Sequence, residues 1–333
     1  MEQDQKAAEH PAAAPWPAGT GAHAFLTLTR AEQLPTVFSN CVAGWWLGGG
    51  GNPANLFIVS GGAILVFLGA SLLSHAFGLS FDRQHRREHA APLGKVGLRT
   101  LWRVGLLLLV FGTIGMQWPG RVTGGLAMIL VFVAVLRSSM HRLLPFSPEL
   151  LGLCRFLLYV LGASTASRGI TGNAMWCGIA LAIYVSGFES LDARDSGLKR
   201  AWQVTALATP LVLAGLMNAG AYMPTAAMLG GILLCWTVLS WHSSLTAAAP
   251  AQAGANLFTC GMVLADILAA CPAPVAQWQA AQSAPRDLLQ VFGALFFSSL
   301  ALLLTRSWAA RKQGGNLPLR ADQKQRLEPN PRG

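Results

Sequence analysis

The chain has 333 residues, of which 53% are hydrophobic and only 11% charged, with a mean hydropathy of +0.45; soluble domains run to roughly a quarter charged. This excludes an ordinary water-soluble globule and reads as a polytopic membrane protein with the lipid bilayer as its solvent. The net charge of +10 does not point to nucleic acid, because the basic residues are bunched between apolar runs, where they report membrane orientation.

Residues 1–32 begin MEQDQKAAEHPAAAPWPAGTG. They are rich in Ala and Pro and lack the basic patch followed at once by an apolar core that marks a secretory signal, so a disordered cytoplasmic tail is expected there. A crossing takes about 20 apolar residues. Runs of that kind fall at 34–50, 56–80, 99–118, 121–137, 149–167, 171–190, 201–218, 223–243, 255–271 and 286–305, which predicts an all-α bundle of nine to ten spans over residues 33–306. With the N-terminus inside, alternate loops carry Arg83, Arg86, Arg87 and Lys95, then Arg137 and Arg142, then Arg194, Lys199 and Arg200. The basic tail 307–333 belongs on the same side, and that takes an even number of crossings, so ten fits better than nine.

The run at 255–271 is the weakest, with Asn256 and Asp266 inside it, and is expected to be partly re-entrant. A carboxylate at that depth marks either function or a buried hydrogen-bond network. The six cysteines are dispersed with no CxxC pair and read as small buried hydrophobes. Trp45, Trp46, Trp236 and Trp241 read as interfacial anchors or core. Gly61, Gly62, Gly69, Gly230 and Gly231 suit close helix packing.

Ionisable residues concentrate after the second and sixth runs. The first cluster is SHAFGLSFDRQHRREHAAPLG, Ser74 to Gly94. Within it, His85 to His89 fits H-x-x-E-H, a zinc-peptidase pattern. Pro92 and Gly94 follow too closely for a long zinc-binding helix, and no third ligand is placed for it, so that chemistry is set aside. The second cluster, YVSGFESLDARDSGLKR, spaces Glu189, Asp192 and Asp195 by three and follows them with Lys199 and Arg200. Such carboxylates can hold Mg²⁺ through oxygen ligands; they equally suit a solvated helix end with ion pairs such as Asp195 with Lys199.

From Leu34 to Arg306 the chain resembles the UbiA superfamily of intramembrane prenyltransferases. LPTVFSNCVAG, Leu34 to Gly44, is similar to the start of the family's first helix. HRLLPFSPELLGLCRFLLYVLGAS, His141 to Ser164, is similar to a segment of the UbiA-like proteins of bacterial ebo-type gene clusters. The Ser74 to Gly94 stretch lines up with the family's N-D-x-x-D-x-x-x-D motif and the loop after it. At the motif positions this chain has Ser74, His75, Gly78 and Asp82, so one carboxylate of three survives; the loop keeps Arg86, Glu88, Pro92 and Gly94.

The resemblance implies a helical bundle around a central cavity open to the cytoplasmic side, in a bacterial inner (plasma) membrane, with both termini cytoplasmic. In the family two Asp-rich loops face each other and bind a prenyl diphosphate through Mg²⁺. Carried over, it implies Glu189, Asp192 and Asp195 for Mg²⁺ with Asp82 assisting, and Arg83, Arg86, Arg87, Lys95 and Lys199 on the diphosphate. Asn40, Arg155 and Tyr159 would be polar groups of the cavity. Their plainer alternatives are interhelical hydrogen bonds for Asn40 and Tyr159, and an intramembrane acid or backbone carbonyl as the mate of Arg155. The implied activity is prenyl transfer to an unknown acceptor, weakened or lost through the broken first motif. The alternative is a non-catalytic membrane protein that binds or helps move a hydrophobic metabolite, with partner proteins of the same gene cluster.

Overall fold

The computed structural model describes residues 33–85, 98–140, 147–190, 198–217, 223–246 and 250–270. Among the described residues there are nine helices: α1 (Leu34–Leu47), α2 (Pro53–His85), α3 (Leu98–Gln117), α4 (Arg121–Met140), α5 (Ser147–Ser164), α6 (Gly172–Glu189), α7 (Leu198–Met217), α8 (Met223–Thr246) and α9 (Pro250–Ala270). They fall on the apolar runs of the sequence. The stretch with Asp266, expected to be partly re-entrant, forms one continuous helix of 21 residues. Its carboxylate is hydrogen-bonded within the bundle, so nothing in the stretch forces the backbone to break. The expected tenth span and both tails lie outside the described residues.

Three of the helices, at Pro53–Gly78, Leu98–Gln117 and Arg121–Ser139, are long and apolar enough to cross a membrane. α3 shows the solvent most directly. Its buried stripe is Leu101, Gly105, Leu109, Gly112 and Met116, three or four residues apart. Its outer face carries Leu106, Leu107, Phe111 and Ile114, the last two 62% and 60% exposed. A helix that hides glycine and exposes bulky apolar side chains is stable where the surroundings are hydrocarbon. This is an integral membrane helical bundle.

Glycine sets how closely the helices approach. On α2 a methyl group at Gly62 would lie 2.8 Å from the Gly112 carbonyl oxygen of α3, and one at Gly69 2.7 Å from that of Gly105. These two contacts fix α2 and α3 as antiparallel neighbours. On α1 and α5, a Cβ at Gly44 would overlap the Tyr159 carbonyl, and one at Gly162 the Cys41 carbonyl. Among the described residues, Gly61 and Gly231 meet nothing within 4 Å, in contrast to Gly62 and Gly69.

α1 and α5 run parallel, and their far ends are stitched together. Ser167 N donates to Gly50 O at 2.6 Å, Arg168 N to Gly48 O at 2.9 Å, and Thr171 Oγ1 to Leu47 O at 2.9 Å. The turn needs left-handed backbone at Gly49 (φ +94°) and Gly50 (φ +68°), which costs glycine little. The α1–α5 pair then separates two cores. Val37, Cys41 and Leu158 pack with α2, α3 and α4 on one side; Ala43, Tyr159 and Ala163 pack with α6, α7, α8 and α9 on the other.

Candidate functional site

A cleft opens at the end of the bundle where α1 and α5 start and α4 finishes. Gln33, Ser71, Ser74, His75, Arg137 and Ser138 supply its polar wall, and Val37, Phe67, Ala70, Ala134, Leu151 and Cys154 much of the rest. Its volume is about 50 Å³, room for a few waters or a small polar group and well short of the roughly 300–1,000 Å³ of drug-sized pockets. Ser138 Oγ lies 2.9 Å from the Ala70 carbonyl and 2.8 Å from the Ala134 carbonyl, which ties α4 to α2 at the cleft wall. Ser74 and His75, which the sequence resemblance sets against the first two positions of the family's Asp-rich motif, are among the residues that line the cleft.

Deeper, about 8 Å further along α5 from Cys154 at 1.5 Å per residue, the structure builds a polar junction around Asp266. Tyr159 OH donates to Asp266 Oδ1 at 2.5 Å, and Ser39 Oγ donates to Oδ2 at 2.5 Å. The Asn40 amide, oriented so that its nitrogen faces acceptors, donates to the same Oδ2 and to Thr36 O, each at 2.8 Å. Asp266, Ser39 and Asn40 are fully buried and Tyr159 is 1% exposed. Three donors from α1 and α5 thus hold one carboxylate from α9, and each carboxylate oxygen has a partner. A buried carboxylate satisfied in this way cross-links helices.

One turn before Tyr159 on the same helix, Arg155 presents the opposite case. Its side chain is fully buried, and Nε, Nη1 and Nη2 have no hydrogen-bond partner among the described residues. The guanidinium carbon instead sits 5.2 Å from the centroid of the Phe67 ring, within cation–π range. Asp266 is within Coulombic reach of Arg155, but the hydrogen bonds its oxygens are seen to accept come from Ser39, Tyr159 and Asn40. Among the described residues, Arg155 thus meets an aromatic face and makes no hydrogen bond to the acid or carbonyl mate expected from the sequence. A ring compensates only part of the desolvation of a buried cation, a loss of several kcal/mol by order of magnitude.

Of the residues the sequence nominated, Asn40 and Tyr159 come together at Asp266, in the hydrogen-bonding role that was their plainer alternative, and Arg155 lies beside them; none of the three belongs to the cleft wall. Glu189 is the last residue of α6 and half-buried. Asp82 and Arg83 fall in the last turn of α2 and Lys199 in the first turn of α7. Arg86, Arg87, Lys95, Asp192 and Asp195 lie outside the described residues, as does most of the H-x-x-E-H stretch. Among the described residues no group of three or more His, Cys, Asp or Glu could hold a metal ion. Sequence reading missed Phe67, Ser39 and the site role of Arg137. Arg137 had a signal, a cation in the last turn of an apolar helix; Phe67 and Ser39 had none.

No family profile matches the chain, and no curated protein matches it in sequence. Two solved structures match it in fold. One is of a digeranylgeranylglyceryl phosphate synthase in membranes, at 12% identity and a TM-score of 0.53, covering 76% of this chain and 98% of that one. The other is the apo structure of a UbiA homolog from Aeropyrum pernix K1, at 14% identity and a TM-score of 0.50, covering 75% and 98%. Over three quarters of its length, this chain has the helical fold of those two proteins.

Proposed function

We propose that the chain is a UbiA-type prenyltransferase, or a close derivative of one, that takes a prenyl diphosphate at the cleft. One observation carries the reading: in a bundle with the fold of a UbiA homolog, Ser74 and His75, at the aligned motif positions, line a cleft together with Arg137. In transfer, the bond between the prenyl C1 and the diphosphate oxygen breaks, the diphosphate leaves with the electron pair, and a nucleophilic acceptor bonds to C1 and releases a proton. Cationic side chains stabilise the negative charge that develops on the leaving group. Apolar walls such as Phe67, Ala70 and Leu151 keep water from C1.

The cleft wall does not fit a divalent metal. None of its lining residues among those described is a carboxylate, and Mg²⁺ takes hard oxygen ligands. In this reading Mg²⁺ would belong to Glu189, Asp192 and Asp195, with Asp82 assisting, and Arg83, Arg86, Arg87, Lys95 and Lys199 would add phosphate contacts on the cytoplasmic side. The same lack of carboxylates favours a second reading, in which the fold binds a prenyl lipid without transferring it. Incubating membranes that contain the protein with labelled prenyl diphosphate, in the presence of Mg²⁺ and cellular lipid extract, separates the two. The first reading expects label on a new apolar product that is lost in Asp192→Asn with Asp195→Asn. Wild-type membranes that yield no product above empty membranes contradict it and favour binding alone.

A further inference from the structure

Arg155 and the cleft share a residue. Phe67 lines the cleft and also carries the Arg155 guanidinium on its ring face, 5.2 Å from the centroid. Cys154, next to Arg155 in α5, lines the cleft too. Around that floor the described wall is cationic or neutral: Arg137, His75 and serine hydroxyls, with no Asp or Glu among the described residues. A guanidinium whose nitrogens are all unpartnered among the described residues, just behind such a wall, suits an anion that can take several of its N–H groups at once. Phosphate oxygens do so in a planar, bidentate geometry. Asp266 accepts from Ser39, Tyr159 and Asn40, and no Arg155 nitrogen bonds to it.

We propose that the cleft is a site for a phosphate-class anion that works without a divalent metal, and that Arg155, reached when the Phe67 ring turns aside, receives that anion. The occupant we assign, the diphosphate of a prenyl lipid, rests on the function proposed above; the metal-free mode of binding does not. The volume of about 50 Å³ suits a headgroup rather than an isoprenoid tail. Displacing the ring exchanges a cation–π contact for charge-assisted hydrogen bonds, which are the stronger interaction. Phe67 is then a barrier to binding, and shortening it raises the fraction of protein competent to bind.

The test uses the full chain in detergent with EDTA present. Three probes distinguish the source of the phosphate: inorganic diphosphate, geranyl diphosphate and a short-chain phosphatidic acid. At least one is expected to raise the unfolding temperature by a few degrees, and addition of Mg²⁺ is expected not to increase the shift. Arg155→Met is expected to leave the unliganded unfolding temperature unchanged or higher, because no hydrogen bond is lost, and to weaken binding of that probe by about tenfold or more. Phe67→Ala is expected to tighten it. A shift seen only with Mg²⁺, wild-type affinity in Arg155→Met, or weaker binding in Phe67→Ala overturns the proposal. Prenyl transfer is scored separately. Mg²⁺-dependent transfer without binding in EDTA removes this inference and keeps the proposed function, and binding in EDTA without transfer does the reverse.

Discussion

Arg155 and Tyr159 are one turn apart on α5, both are buried in the bundle, and their surroundings differ in kind. Tyr159 closes a junction in which Ser39, Asn40 and Asp266 leave no carboxylate oxygen without a donor. Arg155 has a ring face and no hydrogen bond among the described residues. Both are polar groups in apolar surroundings, so depth and polarity do not separate structure from function here. The separation comes from asking which group's hydrogen bonds are complete within the chain. The junction is complete and reads as a lock between α1, α5 and α9; Arg155 is incomplete and lies against the cleft.

The largest effect should come from removing what both regions share. Gly44→Val drives a side chain into the Tyr159 backbone, and the expected outcome is loss of the monodisperse peak on size exclusion in detergent. Next comes Asp266→Ala, which strands the donors of Ser39, Tyr159 and Asn40. It should lower stability by about 3–5 kcal/mol, read from denaturant unfolding. Tyr159→Phe removes one charge-assisted bond and should cost about 1.5–3 kcal/mol by the same measurement. Arg155→Met sharpens the contrast: its cost should be near zero or favourable, because a buried cation without hydrogen bonds is replaced by an apolar chain. The smallest effect is that of Gly61→Ala, with nothing within 4 Å of the added methyl, expected within about 0.5 kcal/mol of wild type. A large loss in Arg155→Met would erase the distinction between the two regions.

Much of the fold was legible because apolar length is a direct constraint in a bilayer. The runs at 99–118, 171–190 and 223–243 need no tertiary information to be recognised as helices. Which glycines pack is a different matter. Gly61 and Gly62 are adjacent and alike in sequence, yet only Gly62 faces Met116 and Gly112, because helix rotation is set by the partner. Asp266 could be nominated from its depth, and its two possible meanings could not be told apart. Ser39, which decides the matter, is 227 residues away. For Arg155 the sequence offers a place in the cavity or a mate in an intramembrane acid or carbonyl, and the Phe67 face that it meets lies on another helix. The acidic residues expected to hold Mg²⁺ were read from spacing and resemblance, and that reading stands as a proposal for Asp192 and Asp195.

The most direct test of the central claim compares Arg155→Met with Asp266→Asn by unfolding temperature, each with and without saturating geranyl diphosphate. The account predicts a crossover. Arg155→Met unfolds at the wild-type temperature or above and loses the ligand-induced rise, while Asp266→Asn unfolds lower and keeps it. The opposite pattern, in which Arg155→Met is destabilised and still responds to ligand while Asp266→Asn stays stable and no longer responds, would contradict it.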